Sequence, residues 1–137
     1  MRLKSFAALV AACGFFLASL PVLAHHSFAA EFDDTKPVKV RGVVANIEWL
    51  NPHIWLYVDV KDEGGKMTRW SFEGGPPNAL YRQGWRRDSL KVGDTVSVDG
   101  FQAKDGTHTA NARSVILPDG KKVFSGAAGD GGPKDAQ

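Results

Sequence analysis

The sequence predicts a small all-β domain, and three observations carry that prediction. Apolar residues alternate with polar ones at a period of two through most of Val38–Leu117. Glycine-bearing hairpin turns punctuate the alternation. One short stretch alone, after Gly74-Gly75, fits a helix.

Pro37 opens the first strand, in which Val38 and Val40 share one face while Val43, Ala45, Ile47 and Trp49 take the opposite parity. A phase switch beside glycine predicts a bulge or sharp bend at Gly42-Val43, within one long strand. Asn51-Pro52 ends this strand, and His53 leads into a second one, where Ile54, Leu56 and Val58 alternate with Trp55, Tyr57 and Asp59. Asp62-Glu63-Gly64-Gly65 is a hairpin turn, with glycine available for positive φ. A third strand then runs over Met67–Glu73. Proline is tolerated in a first helical turn, so Pro77–Gln83 reads as a short helix stopped at Gly84. A fourth strand carries Val96 and Val98, and Asp105-Gly106 turns the chain into a fifth over Thr107–Leu117. Three strands, one short helix between the third and fourth, then two more strands form the order of an OB-fold. That fold is a five-stranded, partly open Greek-key barrel.

Upstream of the barrel, Met1–Leu20 reads as a secretory leader, with Arg2 and Lys4 ahead of an apolar stretch. Val22-Leu23-Ala24 after Pro21 makes a small-residue cleavage site, so residues 1–24 are read as a signal peptide. Two other readings compete. Phe6–Ala24 approaches the roughly 20 residues of a membrane span, and Val10-Ala11-Ala12-Cys13 resembles a lipoprotein cut. Pro21 and the -Val-Leu-Ala- ending favour cleavage after Ala24. That cut takes 24 of the 137 residues and leaves 113, the size of one small domain, with no stable membrane anchor. Residues 25–36 then read as an N-terminal arm, 37–124 as the barrel and 125–137 as a disordered Gly-rich tail.

The single cysteine, Cys13, departs with the leader, which removes disulfides, thiolate metal sites and a thiol nucleophile together. Such a chain suits the periplasm or the exterior, where a lone thiol is a liability. Arg2 and Lys4 leave as well, so the 17 basic residues shrink to match the 15 acidic ones. Without a net positive field the composition speaks against nucleic acid as a partner. Arg82, Arg86 and Arg87 are the one basic cluster and read as a solvated face.

Three strings carry a family resemblance: His25-His26-Ser27-Phe28, then Glu48-Trp49-Leu50-Asn51-Pro52-His53, then Arg87-Asp88-Ser89-Leu90-Lys91-Val92-Gly93-Asp94. In these the chain resembles an uncharacterised family of exported bacterial proteins, a domain of unknown function. The resemblance implies membership and no activity.

Chemistry is best sought at the cut. A first-residue His25 offers its α-amine and its own Nδ1 to one metal ion as a chelate. Copper(II) heads the divalent affinity order and suits nitrogen ligands in tetragonal geometry. His26 is the neighbouring donor, and His53 lies in the loop between strands one and two, which borders the ligand face of an OB-fold. The predicted metal ligands are therefore His25, His26 and His53. The bland alternative is that His25 and His26 hang in solvent while the His53 ring packs on Trp55 and bonds a carbonyl. His108, at a hairpin tip, is left out of the site, and Glu31, Asp33 and Asp34 read as arm-solubilising acids or as groups that orient a ligand. No serine stands in a nucleophile-elbow context, and Gly74-Gly75-Pro76-Pro77 is no phosphate loop. The leading expectation is a non-catalytic exported protein that binds copper. The alternative is a metal-free envelope module holding a protein or glycan on the barrel face, and a copper-dependent redox enzyme comes third. Oligomeric state is not legible.

Overall fold

The computed structural model describes residues 28–124. A single helical turn, α1 (Phe28–Glu31), leads directly into β1 (Phe32–Trp49). There follow β2 (Ile54–Lys61), β3 (Met67–Glu73), the short helix α2 (Pro77–Arg82), β4 (Thr95–Ala103), β5 (Thr109–Ile116) and β6 (Lys122–Phe124). The sheet runs β3-β2-β1-β4-β5-β6, and β3 also pairs with β5, so the first five strands close into a ring. Closure is parallel and brief: Ser71, Phe72 and Glu73 face Thr109, Ala110 and Asn111. Five strands in this order, with a helix between β3 and β4, make an OB-fold-like barrel.

β1 serves two partners in turn. Its first part pairs with β4 from Pro37 to Val43, its second with β2 from Val43 to Trp49. The handover is possible because Gly42 has no side chain; a Cβ there would collide with the Asp59 carbonyl oxygen. The irregularity itself lies between Val44 and Asn46, beyond the Gly42-Val43 position that the alternation predicts. Gly42 keeps the inward phase of Val38 and Val40 and passes it to Val44, and Ala45 is the extra residue. Val43 consequently points outward and is 43% exposed, whereas Ile47 and Trp49 turn back toward the core.

The interior follows the alternation. Ile54, Leu56 and Val58 of β2 meet Phe72 of β3, Val96 and Val98 of β4, and Ala110, Ala112 and Val115 of β5. Leu80 of α2 and Trp85 join the same cluster. Of the four tryptophans only Trp85 is fully buried. At Gly100 the β4 backbone passes so close to β5 that a Cβ would collide with the Asn111 carbonyl.

The expected arm is more structured than its polarity implies. Phe32 is 5% exposed, and residues 32–36 belong to β1. Phe28 stacks on Phe32 at 5.6 Å and meets Phe101 of β4 edge-on at 5.7 Å. Two phenylalanines four residues apart gave this segment apolar surface to bury, which outweighed its three acids. Among the described residues no helix is long and apolar enough to cross a membrane. His25, His26, the leader and the tail lie outside the described residues.

Candidate functional site

A groove of about 660 Å³ opens on the barrel wall where three segments of chain converge. One bank is the β1–β2 loop, with Leu50, Pro52 and His53; the other is α1 and the β4–β5 loop, with Glu31 and Lys104. Trp55 and Glu73 form part of the floor.

The hairpin places Trp55 opposite Glu73, and Glu73 in turn faces Asn111 across the closure. Cross-strand partners project to one side of a sheet, so this row lies on the outer face. His53 sits at the entry to β2, and its ring is held from one side. Nδ1 lies 2.9 Å from the Gly74 carbonyl oxygen and 3.1 Å from Glu73 Oε1. A carbonyl only accepts, so the proton belongs on Nδ1, and Nε2 of the neutral ring is left as an electron-pair donor. Among the described residues Nε2 has no partner.

Charge in the groove is mainly negative, from Glu31, Glu73 and Asp105 against Lys104. The Thr107 backbone N–H and hydroxyl, donating at 2.9 and 2.8 Å, hold the Asp105 carboxyl below the ordinary carboxylate range. Lys104 ties the second bank together by joining the β4–β5 loop to α1: its backbone N–H donates to the Glu31 carbonyl at 2.9 Å, and its Nζ donates to the Ala29 carbonyl. Phe101, beside this clasp, carries the Arg113 guanidinium 5.0 Å from its ring. Two polar atoms near this corner, Asn111 Oδ1 and Arg113 Nε, are buried with no hydrogen-bond partner among the described residues.

Among the sequence-predicted ligands, only His53 falls within the described residues, and it lines the groove. Among those residues, no group of three or more His, Cys, Asp or Glu side chains is arranged to hold a metal. His108 stands apart, its ring edge-on to Trp70 at 5.1 Å. Glu73 and Lys104 escaped sequence reasoning. Glu73 was within reach of it: counting back from the Asp62–Gly65 turn pairs Lys61 with Met67 and hence Trp55 with Glu73. Lys104 carried no such signal, because its partners are backbone carbonyls distant in sequence.

The ring of five strands and the groove beside its β1–β2 and β4–β5 loops define a small OB-fold-like domain. The chain belongs to a family of unknown function, DUF6152, which matches residues 14–112. No curated protein matches it. Among solved structures it is similar to the mitochondrial single-stranded DNA-binding protein Rim1 of S. cerevisiae, with a TM-score of 0.46 and 10% identity. That likeness covers 63% of this chain and 94% of the other. The expectation that excluded nucleic acid is corrected here. A single-stranded DNA-binding protein stands among the similar structures, and balanced net charge is no barrier to local basic surface.

Proposed function

We infer that the protein is an exported, periplasmic copper(II)-binding protein, its metal held by the N-terminal histidine of the processed chain together with His53. One observation supports this above others. His53 has its Nδ1 committed to Gly74 and Glu73 and its Nε2 unpartnered among the described residues, in a groove that α1 borders. Carboxylate or carbonyl anchoring of one ring nitrogen is the usual way a protein fixes the tautomer of a metal-binding histidine.

Reach is compatible with this reading. His25 lies five residues before Ala30, which lines the same groove, and that length of chain spans at most ~17 Å. After cleavage at Ala24, the His25 α-amine and ring supply two donors and His53 Nε2 a third, with His26 as the neighbouring donor. The set suits copper(II), which takes imidazole and amine nitrogen in tetragonal geometry.

The test is a competition titration against a copper chelator. The exported protein beginning at His25 is compared with a version carrying Met before His25 and with His53→Ala in the exported form. Both changes should lose much of the affinity. Binding must displace a proton from the α-amine, whose ordinary pKa is about 7.7–8.0, so affinity should rise between about pH 6 and 8. Equal affinity across all three proteins would overturn the reading. The groove with Leu50, Pro52 and Trp55 would then serve as a metal-free envelope module holding a protein or glycan.

A further inference from the structure

The basic cluster that reads as a solvated face in the sequence has an ordered setting in the fold. Trp49, at the end of β1, stacks on Tyr81 of α2 with centroids 5.5 Å apart. The Arg87 guanidinium lies 5.9 Å from the Trp49 ring and the Arg86 guanidinium 5.8 Å from the Tyr81 ring. Arg86 is further fixed by Nη1, which donates to the Tyr81 carbonyl at 3.0 Å and the Trp85 carbonyl at 2.6 Å. Arg82 is exposed on the last turn of α2. Among the described residues none of the three meets a carboxylate within salt-bridge distance, although acids are plentiful elsewhere on the surface.

Arginines set against aromatic rings have already lost part of their side-chain freedom, so less entropy remains to be lost on binding. Their unused N–H groups form forks that match carboxylates two bonds at a time. We propose that Arg86 and Arg87 on the Trp49–Tyr81 stack, with the exposed Arg82 next to Tyr81 in the chain, form a docking surface for an acidic peptide segment of a partner protein. Charge complementarity selects an anion. The stack selects a peptide over a single-stranded nucleic acid. Base binding needs free aromatic faces, and here the rings are engaged with each other and with the guanidinium groups. Carboxylates need only the guanidinium edges. The surface is distinct from the groove: none of these five residues lines it.

A labelled oligo-glutamate peptide is the probe, its binding to the full chain followed by fluorescence anisotropy, with a single-stranded oligonucleotide of equal length beside it. Arg82→Gln with Arg87→Gln removes two charges without removing any hydrogen bond of the fold. That variant should weaken peptide binding by about tenfold or more, the worth of a charge-assisted hydrogen bond. Arg86→Lys, which keeps the charge but loses the fork, should weaken it too, and all binding should fall as salt is raised. Absence of peptide binding at low salt, or equal binding by the variants, would overturn the proposal. So would tighter binding of the oligonucleotide that the same variants abolish, which would make the surface a nucleic-acid site.

Discussion

At the scale of single residues, the clearest device is the anchored ring of His53. Glu73 holds it without the sequence having advertised the pair, and on the copper reading it acts by orienting the ring. Glu73→Ala should therefore lower copper affinity by about 10- to 100-fold in the chelator competition, the usual cost of losing such a partner. A second pair governs acid response. Arg69 donates to Asp59 at 2.7 and 2.9 Å, and this hydrogen bonding holds the Asp59 carboxyl below the ordinary range. The stability it adds is fully present above the unfolded aspartate value of about 3.9 and is lost as pH falls through the lower folded value. Arg69→Ala should flatten thermal stability against pH in that acid window and leave its shape near neutrality unchanged. Both pairs cross the β2–β3 hairpin, and the hairpin was legible because its turn residues are. The Lys104 clasp was not, since a lysine bonded to backbone looks in sequence like any solvated lysine.

At the scale of elements, two glycines decide which strands touch. Gly100→Ala would drive a Cβ into the Asn111 carbonyl, and because the obstacle is backbone it cannot swing aside. The variant should lose on the order of 2 kcal/mol, roughly 10 °C in thermal midpoint for a domain of this size. Strand identity was readable from period-two alternation, and α2 from Pro77 and Gly84. Of the two readings that the phase switch leaves open, the bulge lies a few residues beyond Gly42, because glycine can mark either a bulge or a close approach, and at Gly42, where β1 changes partner, it marks the approach. The same limitation applies at the N-terminal segment, where acids suggested solvent and Phe28 and Phe32 prevailed by packing. Phe28→Ala should free α1. Hydrogen–deuterium exchange at the Lys104 amide, which bonds the Glu31 carbonyl, should then quicken while β2 amides keep their protection.

At the scale of the whole molecule, the core of the described residues is a single cluster in which Phe72 is wholly buried. Phe72→Ala should cost about 3–5 kcal/mol, a large share of the 5–15 kcal/mol typical of a domain, and urea denaturation would register it as a much lower midpoint. Barrel class follows from strand order, which the sequence displays. The groove does not, because its walls come from segments that only the closed ring brings together. That ring closes through three residue pairs, between a strand ending at Glu73 and one beginning at Thr109. During synthesis the β1–β3 meander can assemble early, yet one flank of the groove is missing until the fifth strand has been made. Loop closure over so long a stretch is slow compared with local hairpins. A ligand of the complete groove therefore finds no partial version of it on a growing chain, and its capture belongs to the finished molecule.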